Sequence, residues 1–169
     1  QGVSSAASDV YKRQPVFKGV NVPSKAFAEC VELFFHTPDI ESAELARLQA
    51  EGADLVVLDS RTAEEFARFH VPGAISCPSS ELVLHFADLV PSPRTQVVVS
   101  CAGRTRGVMG AQTLLNAGVP NPVRALSGGT QGWRLAGLEL ERNTPVAPRT
   151  ASPQAVSYTH LTLPTILLV

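Results

Sequence analysis

The chain has 169 residues, 44% of them hydrophobic and 17% charged, with a mean hydropathy of +0.11 and a formal net charge of −1 at pH 7. That balance leaves no electrostatic footprint for nucleic acid or an anionic membrane, and the length suffices for about one domain that buries its own core. The three cysteines, Cys30, Cys77 and Cys101, form neither an even framework nor a Cys-x-x-Cys pair. Neither a disulfide scaffold nor a structural zinc site is indicated, and a reducing, cytoplasmic compartment fits best.

The chain ends read as foreign. Ser4–Gln14 can be written in codons whose reverse complement, read one frame over, encodes Val156–Thr165. Both tails then follow from one DNA segment read on its two strands, and that segment resembles a transposase-type sequencing adapter. Residues 1–14 and 155–169 are therefore set aside as adapter-derived, as a tag would be, and the remainder, about residues 15–154, is expected to be cut from a longer protein. Without the tails, Lys+Arg falls to 12 and Asp+Glu to 14, a net charge of −2. The terminal Ile166–Val169 is far too short to span a membrane.

Residues 15–36 read as a linker followed by an amphipathic helix from about Ser24 to Phe35. Phe27, Cys30, Val31, Phe34 and Phe35 recur on one stripe of it, so packing is the expected role of Cys30. The helix belongs either against this domain or against a preceding one.

Ser42 can cap a helix through Leu45 and Leu48 that Gly52 closes, and Leu55–Leu58 follows as a buried strand. Thr62 and Glu65 stand at capping-box spacing before a short helix. Ile75 marks the next strand, ending at a buried Cys77, and residues 81–88 suit a helix. Gln96–Ser100 and Val123–Leu126 are two further apolar strands. Apolar strands separated by helices imply a mostly parallel sheet covered on both faces.

Between the last two strands lies Cys101-Ala102-Gly103-Arg104-Thr105-Arg106, followed by a helical pattern over Gly107–Gly118. This is a strand, a tight loop and a helix, so Cys101 is expected in the crevice at the carboxyl end of a strand, facing free helix N–H groups. Nearby cations and a helix N-terminus lower a thiol pKa, so a thiolate is expected there. A packing role suits a lone Cys in general, but guanidinium groups beside it make poor core material.

Leu58–Phe66, His70-Val71-Pro72-Gly73-Ala74, the Cys101 loop and Gly128–Trp133 occur in the order of a rhodanese domain, and residues 37–141 resemble one module of a bacterial multi-rhodanese sulfurtransferase. The resemblance implies an α/β fold with a five-stranded, mostly parallel sheet flanked by helices on both faces. Residues 142–154 then form a linker, and further rhodanese modules are implied in the parent chain. It also implies a persulfide on Cys101, with Ala102, Gly103, Arg104, Thr105, Arg106 and Gly107 binding the substrate. Arg106 matches the family's anion-contacting position and Arg104 is a second contact. Partners would be a small-molecule sulfur donor such as thiosulfate and a cyanide or thiol acceptor, with no metal, organic cofactor, nucleic acid or membrane. Gly103 and Gly107 depart from frequent residue choices in the family loop.

Asp59 and Arg61 are expected as an ion pair that fixes loops, His70 as a tie to a backbone group, and Trp133 as a core plug. Two alternatives remain open. One is a non-catalytic binding or regulatory module. The other is a phosphatase of the same fold, disfavoured because only four residues separate Cys101 from Arg106, one fewer than in those enzymes.

Overall fold

In the computed structural model, which describes residues 22–157, the chain runs as α1 (Val22–Phe35), β1 (Asp39–Ile40), α2 (Ser42–Ala50), β2 (Leu55–Asp59) and α3 (Ala63–Arg68). It continues through β3 (Ile75–Ser76), a 3-10 turn over Ser79–Glu81, α4 (Leu82–Leu89), β4 (Gln96–Ser100), α5 (Thr105–Asn116), β5 (Val123–Leu126) and α6 (Gly129–Leu135). The expected adapter segment 1–14 and residues 158–169 lie outside the described residues.

All five strands are parallel, in the order β1-β5-β4-β2-β3. Strand alternation sends successive residues to opposite faces. Val97 and Val99 join Leu58 and Ala125 in one core, closed by Leu82 and Phe86 of α4 and by Val108, Ala111 and Leu114 of α5. Val98 goes the other way, into a core with Val57, Leu126, Leu45 of α2 and Trp133 of α6. The expected α/β sheet covered on both faces is thus what forms.

Local signals account for several boundaries. Gly52 and Gly118 take left-handed backbone at φ 68° and 73°, ending α2 and α5 as helix-terminal glycines do. The capping box of α3 is present: Glu65 N–H donates to the Thr62 hydroxyl, and Thr62 N–H donates to the Glu65 carboxylate. Ser42 does not cap α2, because the helix begins at Ser42 itself with Glu41 in the cap position. Its hydroxyl is buried without a partner.

The amphipathic helix differs from expectation. α1 packs on α5, but it turns Ala28 and Val31 inward and leaves Phe27, Phe34, Phe35 and Cys30 exposed. Small Ala28, 1% exposed, allows the close approach, and this rotation brings Glu29 and Glu32 toward the Cys101 loop instead of the aromatic stripe.

Residues 142–154, expected as a linker, run against the domain surface. Thr144 N–H donates to Ala67, Arg149 to the Ser76 carbonyl, and Ser152 caps a helical turn over 153–157 while bonding Asp88. Ala155, placed in the adapter segment on sequence, is fully buried there.

Candidate active site

Central strands β2 and β4 end side by side, with Asp59 in register with Ser100, so the residues after each strand share one edge of the sheet. Cys101 follows β4 directly and is 2% exposed. Thr105 and Arg106 form the first turn of α5, which begins two residues earlier than the sequence pattern suggested. The loop therefore spans only Cys101–Arg104, and the backbone N–H groups of Gly103 and Gly107 lie near enough to the Cys101 sulfur to favour its anion. A Cβ at Gly107 would lie 3.2 Å from the Val99 carbonyl, a tight contact, and 3.5 Å from that sulfur, an ordinary one, so glycine here eases the approach of α5 to the end of β4.

The loop is held from below by α6. Thr130 N–H donates to the Cys101 carbonyl at 2.8 Å and Gln131 N–H to the Ala102 carbonyl at 3.0 Å. Ala102 thus serves the loop through its carbonyl. Gly129, at φ 52°, passes so close that a Cβ would sit 2.2 Å from the Cys101 oxygen. Trp133 fills the core below, its indole N–H donating to Glu139.

Asp59 and Arg61 form a fully buried, two-pronged ion pair, with Nε to Oδ1 at 2.9 Å and Nη2 to Oδ2 at 2.8 Å. Arg61 also donates to the Phe69 carbonyl at 2.6 Å, which ties the end of β2 to the end of α3. His70 stacks on Phe66, with Nδ1 3.0 Å from the Phe66 carbonyl and Nε2 3.0 Å from Glu141. All three side chains are engaged in contacts that join β2, α3 and the segment at Glu141. Cys77 is buried, and that burial pushes its thiol up to about 12, which keeps it protonated and unreactive at neutral pH.

The electrostatics of Cys101 run opposite to the sequence expectation. Burial pushes its thiol up, and this outweighs the opposing N–H donors of Gly107 and Gly103 and the charge of Arg106, while Asp59 adds to the rise. Both loop cations are already engaged. Arg106 makes a forked pair with Glu65 at 2.6 and 2.7 Å, and Arg104 donates to Glu32 with Glu29 at 4.0 Å. Glu65 was visible in the sequence only as a capping residue, and Glu29 and Glu32 only as part of a helix. No local spacing marks them as partners of the loop.

The site can hold a sulfur nucleophile in a dry cradle of N–H donors with a guanidinium at its rim. Among the described residues, no group of three or more His, Cys, Asp and Glu side chains could hold a metal ion, and no helix is long and apolar enough to cross a membrane.

Comparison with known proteins bears on the family and the fold. A thiosulfate sulfurtransferase from Pseudomonas aeruginosa is 47% identical and superposes with a TM-score of 0.82, the match covering 86% of this chain and 28% of that one. A Rhodopseudomonas palustris protein of unknown function, described as a possible tyrosine phosphatase, is 26% identical with a TM-score of 0.59, covering 76% of this chain and 98% of the other. An HTH-type transcriptional regulator from Mycobacterium tuberculosis is 32% identical over 107 residues, 63% of this chain and 46% of the regulator. The chain thus spans less than half the length of the sulfurtransferase and of the regulator. The rhodanese-like domain profile matches residues 41–136, more than half of the chain and all of the sheet but β1, and the chain belongs to that family.

Proposed function

We propose that this domain is a sulfurtransferase that carries sulfane sulfur as a persulfide on Cys101. One observation carries the reading: the Cys101 sulfur lies at the end of β4, buried, with the backbone N–H groups of Gly103 and Gly107 and the charge of Arg106 placed to favour its anion. A packing cysteine needs no such donors.

In the first half-reaction the Cys101 thiolate attacks the outer sulfur of thiosulfate. The new sulfur–sulfur bond forms as the old one breaks, and sulfite leaves with the bonding electron pair. In the second, cyanide or a thiolate attacks the outer sulfur of the persulfide, and Cys101 returns as thiolate. N–H donors fixed around the sulfur stabilise negative charge without reorganising, and this electrostatic term is usually the largest in such sites. Arg106 would meet the sulfite oxygens once it swings from Glu65, and Arg104 is a second contact. The thiol is raised in the resting site, so release of Arg106 toward the sulfur also favours the thiolate.

A reducing compartment suits a mechanism built on a free thiol, and the Pseudomonas similarity supports placing the domain as one module of a longer sulfurtransferase. Against a phosphatase stands the loop length. Only Ala102 to Thr105 separate Cys101 from Arg106, a cradle sized for one sulfur atom rather than a tetrahedral phosphoryl group.

Intact-mass measurement after thiosulfate treatment tests the reading. One sulfur should be added, lost again on cyanide addition with release of thiocyanate. Cys101→Ser should abolish both. Unchanged turnover in that variant would overturn the assignment.

A further inference from the structure

Two cations belong to the Cys101 loop and the turn that follows it, and neither is free. Glu65 of α3 grips Arg106 with both oxygens, and Glu32 of α1 accepts from Arg104 with Glu29 behind it. The carboxylates from α1 are the more enclosed partners. Glu29 and Glu32 side chains are 16% and 15% exposed, whereas Arg104 is 51% exposed. If a dianion drew Arg104 away, it would leave the mostly buried Glu32 carboxylate without that guanidinium, which costs more than the loss of a surface pair. The flank of the loop deepens the effect. Beside the loop, Arg104 and Glu32 line a cavity of about 230 Å3 together with Asp39 and Glu41, so an anion entering that cavity meets three carboxylates and one guanidinium already in use.

We propose that Glu32, with Glu29, is a specificity determinant: by holding Arg104 it makes the Cys101 loop discriminate against anionic sulfur donors in favour of donors carrying little negative charge. This rests on the sulfurtransferase reading of Cys101, but the charge filter itself is measurable without turnover. Thiosulfate remains a substrate that pays a penalty at the rim. Glu32 is a positioning residue, since it reaches the substrate only through Arg104.

The filter is tested by alkylating Cys101 in the full chain with iodoacetate, an anion, and iodoacetamide, its neutral counterpart, and following the Cys101 peptide so that exposed Cys30 does not confuse the reading. In Glu32→Gln the ratio of the iodoacetate to the iodoacetamide rate should rise about two- to fivefold, the range expected for removing one partly exposed charge. Thiosulfate KM should fall by a similar factor with kcat little changed. The parent protein gives an independent reading. If the rim is net repulsive to anions, its iodoacetate to iodoacetamide ratio rises with added salt, because screening weakens the repulsion. A ratio that falls with salt, or that is unchanged in Glu32→Gln, overturns the proposal. A ratio that responds as expected while thiosulfate loads no sulfur on parent or variant leaves the filter standing and refutes the sulfurtransferase reading instead.

Discussion

Glu65 serves two partners at once: one carboxylate closes the capping box with Thr62 and forks onto Arg106 at 2.6 and 2.7 Å. The start of α3 and the start of α5 are thereby joined across the mouth of the site.

That relationship sets a pH dependence. The Arg106 guanidinium first, then the Thr62 N–H, hold the Glu65 carboxyl at about 2, against an opposing effect of burial. A folded value below the ordinary 4.5 means that the stabilisation is complete above pH 4.5 and is lost as pH falls toward 2. Both partners are more than a third exposed, so solvent screening limits the contribution to about 1 kcal/mol or less. Urea unfolding across that window should show a shallower acid decline for Glu65→Gln than for the parent. Parallel curves would show that the pair contributes nothing to folding.

Arg106→Ala should lower kcat/KM with thiosulfate by roughly ten- to a hundredfold, the value of one charge-assisted contact to the departing sulfite. Arg106→Lys keeps the charge without the fork and should fall between. Since Arg106 opposes the rise in the Cys101 thiol, its loss should also move the pH midpoint of Cys101 alkylation further up. Thiocyanate kinetics and an alkylation profile equal to the parent's would confine Arg106 to holding Glu65.

Arg61→Met should destabilise the domain by about 3–5 kcal/mol, because Asp59, fully buried, would keep only the Arg61 backbone N–H and a long contact from Ser100. Adding Asp59→Asn should recover part of that loss. Chemical denaturation of the two variants measures both steps, and an Arg61→Met protein as stable as the parent would contradict the pairing.

Two glycines with the same backbone hand separate strain from crowding. Gly118→Ala places a Cβ in open space at φ 73° and should cost about 1–2 kcal/mol for the left-handed backbone alone. Gly129→Ala carries the same strain and also drives a methyl to 2.2 Å from the Cys101 oxygen and 2.7 Å from the Gly103 oxygen. It should therefore lose more stability and slow sulfur loading, whereas Gly118→Ala loads at the parent's rate. Equal loading rates would show that the loop does not depend on α6.

What the sequence determined by itself are the features made by neighbours in the chain. The run Gln96–Ser100 is β4 to the residue, Thr62 and Glu65 cap α3 three residues apart, Asp59 and Arg61 pair across one residue, and His70 returns to the Phe66 carbonyl one helical turn back. Each depends on periodicity or short-range geometry, which composition and spacing encode directly. The two-residue β1 is too short for any alternation to show, and it exists because β5, whose paired residues lie 86 positions away in sequence, offers it hydrogen bonds. The register of α1 follows from Ala28 fitting against α5, not from its aromatic stripe. The partners of the two loop arginines lie 41 and 72 residues off, brought in by the docking of α3 and α1. The direction of the Cys101 thiol was decided in the same way. Local sequence supplies the cations and N–H donors that would lower it, but burial is a property of the assembled fold, and here the assembled fold both dries the sulfur and neutralises the cations beside it.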